Sequence, residues 1–300
     1  MSSNPLWQRS WGWKVILYLF LAGLGSGSFA VGAIEAFSSA QSLLANLGII
    51  VGTLLVILGT LFLLWDLGRR SHFLFALRQL RVSWISRGTW ILALFILFGL
   101  VNSLLRLTTE SGKLPELQPV LDGLGLVLAL CVAAYTGIML ALMTGRPMWN
   151  SSILPALFIT SAFSTGIGLL VAMSSLQGNQ LLLGAMRKWI GADMVSILLE
   201  LLLIYFYLSV NHARAPESVR MVTRGSLAAP FWIGVLGAGL LIPLWLEYLN
   251  LTGGGSPLSS FLSGLGLLTG GLVLRYIVVF AGGRAPVLAG NIRFLVRPGV

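Results

Sequence analysis

Apolar stretches of about 20 residues, separated by short polar segments, recur along the chain. A helix of about 20 apolar residues is long enough to cross a hydrocarbon layer of roughly 30 Å. Inside lipid every backbone N–H and C=O group must be paired within the protein, which permits helices or closed barrels. Barrel strands alternate apolar and polar positions, whereas these stretches are apolar throughout, so they predict transmembrane helices.

Eight helices are predicted by these stretches and by the Gly, Pro, Asn and Ser residues between them. The first stretch contains Glu35 and is not followed by a clean cleavage site, so we interpret it as a retained helix rather than a signal peptide. The sequence thus predicts an all-α integral membrane protein with a single membrane domain, 1–300. We place the helices at about 14–37, 46–65, 88–107, 122–143, 152–173, 190–210, 228–249 and 258–281.

A weak internal similarity divides the predicted helices into two halves. A basic loop ends at 86–90, where Trp90 enters the third helix, and another ends at 229–232, where Trp232 enters the seventh. Two four-helix bundles packed side by side, at about 14–143 and 152–281, would explain the similarity.

The distribution of charge predicts the orientation of the chain. Only 9% of the residues are charged, against about a quarter in a soluble domain, which leaves no room for a separate soluble domain. The net charge of +10 would suggest nucleic-acid binding in a soluble protein. Here 14 of the 19 basic residues fall on one predicted side of the membrane, which we call side A, and three fall in loops on the opposite side B. Because basic loops stay in the cytoplasm, we predict cytoplasmic termini and no nucleic-acid partner.

Tryptophans near the predicted helix ends are typical of the membrane–water interface, where the ring is half in lipid and half in water. Six of them predict interfacial belts: Trp7, Trp11, Trp13, Trp149, Trp189 and Trp245.

Ionisable residues inside the predicted helices need an explanation, because a charge in lipid is costly. Glu200 lies near the middle of the sixth helix, and Arg275 lies in the part of the eighth nearer side A. An unpartnered carboxyl group tends to hold a proton and can relay it, so Glu200 is a candidate relay towards side B. Mutual pairing or contact with the interface is the simpler explanation for the residues near side B, which are Glu35, Arg106, Asp193 and Glu247.

Residues that hold metal cofactors are scarce. The two histidines, His72 and His212, fall in predicted side A loops, and the single cysteine, Cys131, cannot hold an iron–sulfur cluster alone. A transmembrane haem is usually held by imidazoles inside the bilayer. We therefore expect no haem and no metal in this chain. If the chain takes part in redox chemistry, we expect it to bind a diffusible organic electron carrier and a partner protein that holds the metals.

Short motifs follow one another in a fixed order along the chain. The first helix reads YLFLAGLGSG at 18–27, the second ends in WDLGRR at 65–70, and RGTW stands at 87–90. YTG follows at 135–137, FWIGV at 231–235, PL at 243–244 and LRY at 274–276. Together these motifs resemble the NrfD / polysulfide reductase membrane-subunit family over essentially the whole chain. Arg70 stands where the family usually has proline.

The resemblance implies an eight-helix subunit without haem that exchanges electrons between a membrane quinone, menaquinone or ubiquinone, and a docked iron–sulfur protein of the ferredoxin-like type. A molybdopterin or other catalytic subunit usually stands beside that protein. The chain would thus be a non-catalytic or quinone-reactive subunit of an oxidoreductase complex in the respiratory chain of the cell (inner) membrane.

The resemblance also implies a quinone pocket in the first four helices, facing side A. Carried over by motif, Tyr18 and Tyr135 contact the quinone, although a family member has histidine at the contact on the first helix. Asp66 and Arg69 lie at the same level and close the pocket or bind the partner, and Asp66 is the candidate proton relay near the pocket. The basic residues that would face the docked partner are Arg69, Arg70, Arg78, Arg81 and Arg87.

Two questions stay open at this point. Well-known family members dock their partners outside the cytoplasmic membrane, whereas the basic loops place side A inside. An inward-facing complex, which we favour, or loops held outside by the partner would reconcile the two. A proton-coupled secondary transporter, which internal repeats and a buried carboxyl group allow, and a purely structural anchor are the alternative functions.

Overall fold

A computed structural model gives the fold and describes residues 12–38, 42–66, 84–108, 117–177, 180–283, 287–289 and 292–294. In this part of the protein the helices are α1 Trp13–Ser38, α2 Leu43–Asp66, α3 Trp84–Leu107, α4 Leu117–Ala141, α5 Ile153–Gln177, α6 Gln180–Arg214, the short α7 Pro216–Arg224, α8 Pro230–Thr252 and α9 Pro257–Gly283. A hairpin of strands β1 Val287–Ala289 and β2 Ile292–Phe294 follows, with Leu288 opposite Arg293.

Eight of the described helices are long and apolar enough to cross a membrane. They coincide with the eight predicted spans, so the all-α, multi-pass membrane class is confirmed. The largest difference is at α6, predicted from 190 and observed from Gln180. Hydropathy marks where a helix leaves the lipid and not where its hydrogen bonding ends, so Arg187 and Lys188 belong to the helix and not to a loop as predicted.

Helices α1 and α5 form the centre of the molecule and are the most deeply buried spans. Helix α1 packs against α2, α4, α5 and α9, and α5 packs against α1, α4, α6 and α9. Glycines permit these contacts: a Cβ on Gly27 would overlap the backbone of Ala162, and one on Gly166 would overlap the backbone of Gly27. The glycine-rich sequence of α1 therefore serves close helix packing, as is usual in membranes.

Within each half, each long helix contacts the next long helix in the sequence, and the last contacts the first. In the first half α1 contacts α2 and α4, and α3 contacts the same two helices. In the second half α5 and α8 each contact both α6 and α9. Because α1 and α5 also pack on each other across the halves, the division into two separate bundles stays a prediction.

Helix α8 changes its winding along its length. Its first part, Pro230–Leu241, is π-helical and its second part, Ile242–Thr252, is α-helical. Pro243 stands at the junction, where its missing N–H group interrupts the regular hydrogen-bond ladder. Gly266 of α9 lies against this junction, since a Cβ there would stand 2.6 Å from the Ala238 carbonyl and 2.8 Å from the Pro243 ring.

The predicted belt tryptophans that the structure describes divide into exposed and buried ones, whereas Trp7 and Trp11 lie outside the described residues. Trp13 and Trp245 are exposed near helix ends, as the belt prediction requires. Trp149 and Trp189 are buried, and for them the prediction is wrong. The indole N–H of Trp149 donates to the Val278 carbonyl at 2.7 Å, so this ring joins the turn between α4 and α5 to α9 inside the protein.

Candidate functional site

Two buried tyrosines lie close together in the first half, near side A. Tyr18 stands five residues after the start of α1, and Tyr135 stands six residues before the end of α4. Both are at most 5% exposed, and their phenol groups are near enough to interact electrostatically. The fold therefore brings together the two tyrosines that the sequence motifs single out.

The two hydroxyl groups differ in their hydrogen bonding. The Tyr135 hydroxyl contacts the sulfur of Met139 at 3.7 Å, which is a weak acceptor. The Tyr18 hydroxyl is fully buried and forms no hydrogen bond with any described residue. Leaving a buried donor unsatisfied costs about 1–3 kcal/mol. An acceptor from outside the chain would remove that cost at this position.

The first turns of α3 complete this region. Gly88 packs directly on the Tyr135 ring, and a Cβ at this position would overlap ring atoms. Ser86 is fully buried, and its hydroxyl has no hydrogen-bond partner in the described part of the protein. The sequence analysis missed Ser86 as a polar group, because an uncharged serine in a motif does not stand out. We call Tyr18, Ser86 and Tyr135 the side A cluster.

The remaining predicted side A residues are described only in part. Asp66 is exposed at the last position of α2. Arg87 is exposed on α3, and its guanidinium lies over the Trp84 ring at 4.4 Å from the centroid. Of the other residues predicted to close the pocket or bind the partner, Arg69, Arg70, Arg78 and Arg81 lie outside the described residues.

A cavity of about 200 Å³ lies deeper in the membrane than the side A cluster, where the two halves meet. Helices α1, α4, α5 and α6 line it with small and apolar side chains. Ser26, Thr160 and Ser196 contribute hydroxyl groups, and Leu130 and Leu199, which are exposed towards lipid, stand at its mouth.

Arg106 and Glu35 of the first half are paired near side B, Arg106 within that half and Glu35 with residues of α6. The Arg106 guanidinium donates to both oxygens of Asp122 at 2.7 and 2.8 Å and to the amide oxygen of Asn46 at 2.8 Å. Glu35 accepts from Lys188 at 2.7 Å and from the Trp189 indole at 2.9 Å. Pairing, the simpler explanation, therefore holds for Arg106 and Glu35. The sequence analysis missed Asp122, which lay at a predicted helix boundary.

The ionisable residues of the second half form a different arrangement. Arg275, Glu200, Asp193 and Glu247 are all at most 3% exposed. The Arg275 guanidinium donates to the Ser161 hydroxyl at 2.9 Å, and Ser161 adjoins Glu200. Asp193 and Glu247 adjoin each other rather than a basic residue. Among the described residues, no group of three or more His, Cys, Asp or Glu is arranged to hold a metal ion.

Comparison with protein families agrees with the motifs and with the eight spans. A family model described as "Polysulphide reductase, NrfD" matches residues 2–285. The chain belongs to this family.

Individual NrfD relatives match along most of their length. A polysulfide reductase chain of Wolinella succinogenes is 31% identical, with 91% of this protein and 94% of the relative aligned. Protein NrfD of Escherichia coli is 28% identical, with the same shares aligned. A selenate reductase subunit of Mesobacillus selenatarsenatis is 26% identical, with 92% of this protein and 75% of the relative aligned.

Proposed function

We propose that this chain is the quinone-reactive membrane subunit of an oxidoreductase complex. It exchanges electrons between a membrane quinone, menaquinone or ubiquinone, and a docked iron–sulfur protein. Its membership of the NrfD family and its relatives named as parts of polysulfide and selenate reductases support the proposal. The observation that carries it in the structure is the buried hydroxyl of Tyr18, which lies near Tyr135 and has no hydrogen-bond partner among the described residues.

The side A cluster fits the head group of a quinone. A quinone ring offers two carbonyl oxygens, which accept hydrogen bonds and need donors in an apolar setting. Tyr18 and Ser86 have buried hydroxyl groups without partners among the described residues, and Tyr135 contacts only the weakly accepting Met139 sulfur. A carbonyl oxygen is a better acceptor for a phenol than a thioether.

The cavity between the two halves fits the tail. It begins near Ala133, two residues before Tyr135, and it opens towards lipid beside Leu130. An isoprenoid tail needs an apolar channel that connects the head group with the bilayer. Small side chains of α1 and α5 line the cavity, and the tail is proposed to pass through it from the head-group site to the bilayer.

A bound quinone supplies the transfer of two electrons and two protons. The tyrosines of the side A cluster orient the ring, and the packed helices around them exclude water. Asp66, exposed at the end of α2, is the proposed relay that exchanges protons between the pocket and the water on side A, and Arg69 is proposed to close the pocket. Glu200 is the second proposed relay, directed towards side B.

Electrons leave or enter through a partner on side A. The proposed partner is a ferredoxin-like iron–sulfur protein, with a molybdopterin catalytic subunit beside it. Its docking surface would be acidic, because it faces the basic residues Arg69, Arg70, Arg78, Arg81 and Arg87. By the positive-inside rule we propose that side A and both termini are cytoplasmic.

A photoreactive quinone analogue tests the proposal on the complex extracted gently from its native membrane. We expect the analogue to label α1 or α4 near Tyr18 or Tyr135, and an excess of natural quinone to compete with it. We also expect iron and an iron–sulfur protein to co-purify in a fixed ratio with the chain. If an excess of natural quinone leaves the labelling undiminished and the chain purifies free of iron, the proposal is contradicted and a transporter is favoured.

A further inference from the structure

A second cavity, of about 210 Å³, lies at the side B end of the second half. Helices α5 and α6 and the turn from α8 to α9 form its walls. Part of its lining is apolar, as at Met186 and Ile190, and part carries polar groups, which belong to Arg187, Asn250, Ser256 and Ser260. We call this space the side B cavity. Its mixed lining suits a molecule with a polar group attached to an apolar part.

Arg187 brings a positive charge to the wall of this cavity. Its guanidinium donates to the Leu251 carbonyl at 2.9 Å, in the last turn of α8, where carbonyl groups lack partners within the helix. This bond holds the guanidinium in place, and its further N–H donors can serve an anion. No described carboxylate forms an ion pair with Arg187, whereas its neighbour Lys188 is paired with Glu35.

The side chain of Asn250 adds a hydrogen-bond donor that lacks a partner. Its amide nitrogen is buried and forms no hydrogen bond with a described residue, whereas its amide oxygen accepts from the Ser259 hydroxyl at 2.6 Å. Gly255 packs so closely on this side chain that a Cβ at position 255 would overlap it. The amide is therefore fixed, and an acceptor oxygen in the cavity would satisfy its nitrogen.

The turn from α8 to α9 brings the start of a helix to the same cavity. Gly253 ends α8 in the left-handed conformation, with φ 91°, and α9 begins at Pro257. Ser256 and Ser259 cap this start, because the backbone N–H of each donates to the hydroxyl of the other, at 2.8 and 3.1 Å. Ser256 and Pro257 line the cavity, so the positive end of the α9 dipole lies at its wall and favours an anion.

The residues around the cavity place it at the level of the lipid head groups. Trp245 and Tyr248 are exposed on α8 near its side B end, as is typical of the membrane–water interface. On α9 an exposed apolar strip runs from the cavity end of the helix towards the membrane centre, formed by Leu258, Leu262 and Leu265. A phosphate group in the cavity would therefore have acyl chains lying along this strip, in the bilayer.

We propose that the side B cavity binds the phosphate group of an anionic phospholipid, held by Arg187, Asn250 and the N-terminus of α9. The phosphate oxygens accept from the guanidinium and from the Asn250 amide, and the bound lipid joins the first turns of α6 to the α8–α9 turn. A zwitterionic head group would add a positive charge beside Arg187 and fits less well. The site goes beyond the proposed function, because lipid binding requires neither a quinone nor an iron–sulfur partner.

Native mass spectrometry of the purified full chain in an uncharged detergent measures this binding as lipid is added. We expect phosphatidylglycerol to bind at one saturable site, and phosphatidylcholine and inorganic phosphate each to bind about tenfold more weakly or less. Inorganic phosphate that binds as tightly as phosphatidylglycerol would show a site for a free anion and overturn the lipid assignment. Phosphatidylcholine that binds equally well would overturn the requirement for a negatively charged head group.

Variants of the cavity wall locate the binding. We expect Arg187→Gln to weaken phosphatidylglycerol binding about tenfold, because a charge-assisted hydrogen bond is lost, and Arg187→Lys to retain part of it. Asn250→Asp keeps the oxygen that accepts from Ser259 but adds a negative charge, so it should also weaken binding.

Arg214→Gln is the matched control for these variants. Arg214 is also exposed on α6 and donates to a backbone carbonyl, that of Asn150 at 3.4 Å, but it lies at the side A end of the helix. Its loss removes the same charge and should leave phosphatidylglycerol binding unchanged. Parent-like binding in both Arg187→Gln and Asn250→Asp, or an equal loss in Arg214→Gln, would overturn the site.

Discussion

At the scale of single residues, the structure separates polar groups that are satisfied from those that are not. Arg106 and Asp122 satisfy each other, because the guanidinium donates to both carboxylate oxygens. Removing one member of such a buried pair costs about 3–5 kcal/mol, since the other charge is left uncompensated. The hydroxyl of Tyr18 has no such partner among the described residues, so its hydrogen-bonding capacity is available to a ligand.

Removing one phenol hydroxyl tests the side A cluster. We expect Tyr135→Phe to lower quinol turnover about tenfold or more, because a lost hydrogen bond to a bound substrate corresponds to about 1.5 kcal/mol. Tyr18→Phe should weaken turnover in the same way and leave folding unharmed, since its hydroxyl has no partner to lose among the described residues. Steady-state kinetics with a quinol analogue measure the effect, and the iron content per chain reports assembly.

The matched control for these variants is Tyr205→Phe. Tyr205 is 65% exposed on α6, away from the side A cluster, and its loss of a hydroxyl should leave turnover unchanged. Parent-like turnover in Tyr135→Phe and Tyr18→Phe would show that neither phenol contacts the quinone.

At the scale of the elements, close packing of α1 on α2 and α5 fixes where the side A cluster and Arg275 stand. Gly25 packs on α2, where a Cβ would lie 2.6 Å from the Gly52 carbonyl, and Gly27 packs on the backbone of Ala162 in α5. These contacts leave no space for even a methyl group. The position of Gly23 against Arg275 follows from the same packing, because it lies one turn earlier on the same helix.

A single methyl group tests this packing. We expect Gly27→Ala to destabilise the protein by about 1–3 kcal/mol or more, because α1 and α5 must move apart to admit the Cβ. Gly191→Ala on α6 is the control, since a Cβ there meets nothing within 4 Å and alanine favours the helix. Unfolding in detergent, followed by loss of helical circular dichroism, measures both. Equal stability of the two variants would show that α1 and α5 are not packed as closely as the structure indicates.

At the scale of the whole molecule, the two halves differ in where their buried polar residues lie and in how these residues are paired. In the first half Arg106, Asp122 and Glu35 are paired near side B, and the hydroxyl groups of Tyr18 and Ser86, which have no partner among the described residues, lie near side A. In the second half, both oxygens of Asp193 and one oxygen of Glu247 have no hydrogen-bond partner among the described residues. The polar groups without partners in the described part of the protein thus lie near side A in the first half and nearer side B in the second half.

The orientation of the molecule is a prediction at this scale, and labelling with a membrane-impermeant thiol reagent tests it. In a background with Cys131→Ala, we expect Gly254→Cys in the exposed α8–α9 turn on side B to be labelled in intact cells. Arg214→Cys, exposed at the end of α6 on side A, should be labelled only after the membrane is opened. The reverse pattern would place side A outside and would favour a partner docked there.

The sequence by itself determined the number of spans, their order and the class of protein. Length and apolarity suffice for this, since lipid requires that each crossing segment satisfies its own backbone hydrogen bonds. The motifs also singled out Tyr18 and Tyr135, which the fold brings near each other, while their contact with a quinone stays a prediction. Ser86 and Asp122 were missed, because nothing local distinguishes a buried serine or a carboxylate at a helix boundary.

Only the tertiary structure decided which polar residues are partners. The sequence placed Glu35, Asp193 and Glu247 alike near side B, yet Glu35 meets Lys188 and Trp189, whereas Asp193 and Glu247 meet each other. A residue's depth follows from its position along one helix, which the sequence records. Its neighbours depend on how each helix is rotated and on which helices adjoin, and glycine contacts between distant segments set both.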